Sequence, residues 1–244
     1  EEVCVTGSED GSVRVWDLKQ GVCAWINRGH TGAPHCLDAS QYPFLASAAL
    51  GEDHTPRLWA LNALDANAAD RSFMRLEGHT EHVTCLTYTP DGQRVCTGSQ
   101  DSTVRLWHST RGSCLAVFRH MQAVNCIVAG PKCVATGSDD ASVRIWDYFK
   151  LREKACMTRH QMAVRHLALD GERLVSSSDD GATCVFSTEG KGRCRFTLKE
   201  EDSGVIVCQA VCGDYLVIKH KDRVPVLRVF NGRGGARAKT QGPC

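Results

Sequence analysis

Apolar and polar residues alternate in short bursts along this chain. Ser12-Val13-Arg14-Val15-Trp16 and Ser102-Thr103-Val104-Arg105-Leu106-Trp107 alternate in residue type. That is the period of a strand with two unlike faces, and no segment sustains a helical period. The bursts are separated by turn residues. In Glu9-Asp10-Gly11 an acidic pair and a glycine stand where two strands must reverse tightly. The pattern predicts an all-β chain of short antiparallel strands.

The bursts repeat. TGSEDGSVRVWD at 6–17 returns as TGSQDSTVRLWH at 97–108 and TGSDDASVRIWD at 136–147, with looser copies at 47–60, 176–187 and 219–231. Each copy ends near an aromatic: Trp16, Trp59, Trp107, Trp146, Phe186 and Phe230, separated by 43, 48, 39, 40 and 44 residues. A histidine keeps step: His30, His79, His120 and His160 precede their aromatics by 26 to 29 residues. About four short strands fit in each unit, the length of one propeller blade. The wide spacing before Trp107 is assigned to an Ala- and Asn-rich insert, Leu61 to Arg71.

These GH, SxDG and WD elements resemble the WD-repeat β-propeller family, over residues 3 to 230. The resemblance implies a β-propeller of four-stranded antiparallel blades over residues 1–230, followed by a Gly-rich basic tail, 231–244. About six blades are present. The first opens inside its second strand, and the tail is a poor outer strand. Family members usually have seven blades and exposed strand edges are a liability, so the expectation is a fragment of a seven-bladed ring.

The family also implies a buried network in each blade: loop His, strand Ser or Thr, turn Asp, strand Trp. Complete sets are His79, Thr97, Asp101, Trp107 and His120, Thr136, Asp140, Trp146. Blade two has Ala49 at the expected hydroxyl position and Pro56 for the usual strand Val. Blade five offers Phe186, which has no N–H, and blade six has Asp222 and Phe230 in shifted register. Blades two, five and six are therefore expected to be less rigid than three and four. His160, Ser176 and Asp180 have the residue types of a catalytic triad. The same arrangement recurs across blades and no GxSxG elbow accompanies it, so a structural role and no enzyme activity are expected.

Composition narrows the classes. With 244 residues, 42% hydrophobic and 23% charged, the chain is long enough to bury a core. No apolar run approaches the roughly 18–20 residues of a membrane span. The net charge of +1 gives no general pull toward nucleic acid. It is uneven, however: residues 1–190 carry a net of −5 and residues 191–244 a net of +6. The 14 cysteines show no CxxC and no zinc spacing, and Cys208 and Cys212 share a strand face without further ligands. They read as small core residues in a reducing, intracellular compartment, cytoplasmic or nuclear. No metal or cofactor is expected.

The resemblance places partners on the rim formed by the His loops and tight turns. The residues before each turn Asp are Glu9, Glu52, Gln100, Asp139 and Asp179, with Lys221 in the last copy. The strand-one positions facing the same channel are His35, Thr84, Asn125, Arg165 and Ile206. An acidic rim favours a cationic peptide. The leading expectation is a non-enzymatic scaffold for a protein or peptide partner, with no small-molecule substrate. A second reading is the substrate receptor of an F-box-type ubiquitin ligase, from short first hairpins such as Ala129-Gly130-Pro131-Lys132. A phosphodegron reader would need an Arg cluster, and Arg165 stands nearly alone among acids. A third is an RNA-associated scaffold using the basic C-terminal part, which lacks interleaved aromatics.

Overall fold

A computed structural model describes residues 2–41, 43–60, 72–190, 192–198, 206–212, 215–220, 226–229 and 237–239. Every regular element among them is a β-strand. The chain divides into two compact units, Glu1–Pro131 and Lys132–Cys244.

In unit one, β1 (Val3–Gly7), β2 (Ser12–Asp17) and β3 (Val22–Arg28) form a three-stranded sheet. A four-stranded sheet follows: β4 (Pro34–Gln41), β5 (Phe44–Ala49), β6 (Arg57–Ala60) and β7 (Ser72–Arg75). The next holds β8 (Val83–Tyr88), β9 (Arg94–Ser99), β10 (Thr103–His108) and β11 (Cys114–Arg119), and β12 (Val124–Ala129) ends the unit. Unit two begins with β13 (Val134–Ser138), β14 (Val143–Asp147) and β15 (Arg152–Met157). It continues through β16 (Val164–Asp170), β17 (Arg173–Ser178), β18 (Thr183–Ser187) and β19 (Cys194–Leu198). It ends with β20 (Ile206–Cys212), β21 (Tyr215–His220), β22 (Val226–Val229) and β23 (Arg237–Lys239). Within each sheet, chain neighbours pair antiparallel. This is the expected meander, and the fold is all-β with WD-type propeller blades.

One boundary needs correction. Arg237–Lys239, read as part of a tail unsuited to an outer strand, pairs with β22 as β23. The insert 61–71, Lys221, Asp222 and Phe230 lie outside the described residues.

Within unit one, sheets pack face to face. Val13, Val15, Leu45 and Trp59 form one buried cluster, and Ala46, Leu58, Val83, Val95 and Trp107 belong to another. Burying one such large side chain contributes about 1.5–3 kcal/mol. The repeated TGS glycine lets the sheets approach. A Cβ on Gly98 would lie 2.6 Å from Val124 Cγ1 and 2.7 Å from Cys85 Sγ.

The polar networks hold the turns to this core. In blade three Trp107 Nε1 donates to Thr97 Oγ1 at 2.9 Å, and Thr97 Oγ1 bonds His79 Nε2 at 2.7 Å. His79 Nδ1 bonds Asp101 Oδ2 at 2.8 Å. A neutral imidazole protonated on Nδ1 satisfies the whole relay. Burial works against ionising Asp101, but the His79 and Thr103 bonds outweigh it and hold the carboxyl well below the usual carboxylate range. In blade four Trp146 Nε1 donates to Thr136 Oγ1 at 2.8 Å.

Blade two has the network too, through a residue other than expected. Ser47, not position 49, accepts from Trp59 Nε1 at 2.6 Å and bonds His30 Nε2 at 2.7 Å, while His30 Nδ1 bonds Asp53 Oδ2 at 2.7 Å. Ser47 lies 12 residues before its Trp, against 10 for Thr97. The β5–β6 turn is two residues longer, and counting back from Asp53 lands on Ala49. Counting from the aromatic, and noting that Ser47 pairs with Arg57 as Thr97 pairs with Arg105, restores the register.

Among the described residues, blade five lacks part of this network. His160 Nε2 meets Ser176 Oγ at 2.6 Å, but His160 Nδ1 stands 3.5 Å from Asp180 Oδ2 and has no hydrogen bond. That carboxylate oxygen instead accepts from Gln161 N at 2.8 Å. Ala182 has no hydroxyl to offer Asp180, where Thr103 gives one to Asp101.

Three measurements check this account. Amide exchange should find β5 and β6 as protected as β9 and β10, with β17 and β18 faster; slow exchange throughout blade five would contradict it. Thr97→Val strands two buried groups, the Trp107 N–H and His79 Nε2, and should cost about 3 kcal/mol; Ser176→Ala strands one and should cost about 1–2 kcal/mol in denaturant titration. Stability should also fall on acidification in two steps. Burial depresses the His160 pKa, so its contribution is full above the unfolded value of about 6.5 and declines below it. Asp53, Asp101 and Asp180 are depressed as well, so a steeper loss starts below about pH 4 as the unfolded chain binds protons first. A denaturation midpoint that rose on acidification would refute the assignment.

Candidate partner-binding rim

The side chains at the mouth of the His loops owe their direction to backbone irregularities. β4, β8 and β16 each carry a bulge just inside their first residue, and the extra residues are His35, Thr84 and Arg165. A bulge leaves a residue out of the ladder and re-aims its side chain. In β20 the same bulge falls between Ile206 and Cys208, so Val207, not Ile206, is the positional equivalent of Arg165.

In unit two, three predicted rim residues come together. Arg165 Nε donates to Asp179 Oδ2 at 2.7 Å and Arg165 Nη1 to Asp139 Oδ1 at 3.0 Å. The carboxylates come from the β17–β18 and β13–β14 turns, so one guanidinium ties two turns. The group is partly exposed and carries a net charge of −1. Sequence reasoning named all three residues and set Arg165 among acids, but did not pair it with these two.

In unit one, Glu9, Glu52 and Gln100 are exposed at their turns, and none of their side chains has a partner among the described residues. The Gln100 backbone is fixed, donating to His82 O at 2.9 Å. Thr84 is unavailable to a partner: its hydroxyl donates to Gly98 O at 3.1 Å and to Val124 O. Asn125 is half-buried. His35 is exposed; partial burial lowers its pKa, and His82 and His30 push the same way. A feature the sequence reading missed is a ring pair, His54 and His82, 5.2 Å apart, with both Nδ1 atoms buried and without hydrogen bonds among the described residues. His82 stands three residues after the landmark His79, and His54 sits in the lengthened β5–β6 turn.

The cysteines divide. Cys85, Cys96, Cys133 and Cys184 are buried, and burial raises the thiol pKa to about 12 for Cys85 and about 11 for Cys184. Cys4, Cys114 and Cys156 are exposed, against the expectation of core residues throughout. Every cysteine whose side chain is described is a free thiol. Among the described residues no group of His, Cys, Asp or Glu could hold a metal ion. Among the described residues no helix is long and apolar enough to cross a membrane.

In the basic C-terminal part, Lys219, Arg228, Arg237 and Lys239 stand on β21, β22 and β23. Arg223 and Arg233 lie outside the described residues.

Comparison with known proteins agrees with this architecture. The family model described as WD domain, G-beta repeat matches residues 1–17, 71–108 and 112–147. Mitochondrial division protein 1 of Kluyveromyces lactis is 31% identical over 119 residues, covering 46% of this chain and 16% of that protein. Nuclear distribution protein PAC1-2 of Uncinocarpus reesii is 27% identical over 227 residues, covering 84% of this chain and 39% of that protein. The chain thus spans well under half the length of either relative. The crystal structure of the computationally designed Ika8 protein shares the fold, with a TM-score of 0.82 at 23% identity over 93% of this chain and 68% of that one. With its matched repeats, its antiparallel blades and its His–hydroxyl–Trp relays, this chain carries WD repeats and is similar to WD-repeat proteins.

Proposed function

We propose that this chain is a non-enzymatic interaction scaffold that binds a cationic peptide segment of a protein partner on its rim. The observation that carries the reading is the grip of Asp139 and Asp179 on the Arg165 guanidinium. Two carboxylates from turns of two neighbouring sheets already hold a cation in place. They retain a net negative charge after doing so. Charge-assisted bonds of this geometry are among the stronger polar contacts, and their field steers a basic partner toward the site. Within unit one, Glu9 and Glu52 are likewise acidic and exposed at their turns.

A scaffold role rather than a catalytic one rests on the blade-five group. Ser176 is fully buried and His160 nearly so. The same three-residue arrangement recurs as His79, Thr97 and Asp101, where the hydroxyl accepts an indole N–H. A nucleophile needs access to substrate, and these hydroxyls have none. The free thiols support a reducing, intracellular setting.

Fluorescence anisotropy with an Arg- and Lys-rich peptide tests the reading. Asp139→Lys, or Asp179→Asn with Asp139→Asn, should weaken binding about tenfold, with stronger salt dependence in the wild type. Glu52→Lys should weaken it less. Arg165→Ala frees both carboxylates and should tighten binding several-fold. Peptide affinity indifferent to all of these would remove the rim from the function.

A further inference from the structure

The opposite end of β14 carries a second, cationic site. A cavity of about 370 Å³ lies within unit two, lined by Asp147, Lys150, Arg152, Glu153, Lys154 and Gly190. Three cations and two carboxylates face it, but the carboxylates are engaged. Asp147 Oδ1 accepts from the backbone N–H groups of Phe149 at 3.1 Å and Lys150 at 2.9 Å. Glu153 Oε2 accepts from the Arg144 guanidinium at 2.8 Å. Lys150 and Arg152 have no ion pair among the described residues. Lys154 is anchored, with Nζ donating to Thr188 O at 2.7 Å, and keeps two protons for another acceptor. The wall is open at Gly190, where an added Cβ would meet nothing within 4 Å.

We propose that this cavity binds a small polyanion bearing two or more phosphate groups. Three cations around one cavity repel one another and outnumber its two carboxylates, one of which, Glu153, already pairs with Arg144. A multivalent anion relieves that repulsion and gains several charge-assisted bonds at once. The volume falls near the lower end of the roughly 300–1,000 Å³ range of small-ligand sites. The lining holds no aromatic or aliphatic side chain, which selects a ligand polar on all sides, such as a phosphorylated polyol, over one with an apolar ring. This site does not depend on the rim reading.

Isothermal titration of the 244-residue chain with inositol hexakisphosphate, pyrophosphate and inorganic phosphate tests this. Inositol hexakisphosphate should bind more tightly than inorganic phosphate, and Lys150→Glu with Arg152→Glu should weaken it roughly tenfold or more. Both side chains are exposed, so the variant should melt like the wild type. Asp139→Asn with Asp179→Asn should leave it unchanged. Flotation with phosphatidylcholine vesicles, with and without phosphatidylinositol bisphosphate, separates the sources. Binding to the doped vesicles supports a lipid headgroup at this site, and binding to the free polyphosphate alone supports a soluble ligand. The proposal is overturned if no probe binds, or if the cavity reversals weaken binding no more than Lys19→Glu with Arg111→Glu, which changes net charge equally elsewhere.

Discussion

Blades two and three each turn on one shared hydroxyl. In blades two and three a buried Ser or Thr oxygen receives the indole N–H of a core tryptophan and bonds the imidazole of the preceding loop. The imidazole in turn reaches the turn carboxylate. Hydrophobic packing alone would hold the sheets together but would leave the turns free to wander. The relay fixes them, because each buried polar member left unpaired would cost about 1–3 kcal/mol. Its members are satisfied only when loop, strand and turn all occupy one arrangement.

That constraint explains why the rim can vary. The relay ends at the turn Asp, and the residue just before it takes no part in the relay. Asp139 and Asp179 occupy such positions in unit two, Glu9, Glu52 and Gln100 in unit one. The bulges at His35 and Arg165 do the same for the inner strands, removing one residue from the ladder while the strand continues. The proposed recognition surface is therefore built from positions that the fold holds in place but does not specify.

How much of this the chain reveals without coordinates depends on whether a feature is local. The strand period, the Trp16, Trp107 and Trp146 landmarks and the His79 set could be read directly, since each lies within one repeat. Ser47 could not be reached by counting from Asp53, because the turn between them had lengthened by two residues; the aromatic was the safer origin. Val207 was missed because a bulge displaces register by one without leaving a composition signal. The Arg165 clamp was out of reach for another reason. Its two carboxylates lie 26 and 14 residues from it in sequence, and nothing in either turn marks them as meeting one cation. The tail segment Arg237–Lys239 was excluded as a strand on propensity, yet pairing with β22 overrides that preference, as context routinely does in sheets.

The two charged sites of unit two also stand in a definite electrostatic relation. Asp139 lies in the turn before β14, and Lys150 and Arg152 follow its other end. Five strand residues at about 3.3 Å each place the ends roughly 16 Å apart. That is about twice the Debye length of ~8 Å at physiological salt, so each site acts largely outside the other's field. An acidic grip and a basic cavity can therefore coexist in one unit without neutralising each other. A flexible loop of the same composition would collapse them into ion pairs; the hydrogen-bonded strand between them keeps both charges available to partners.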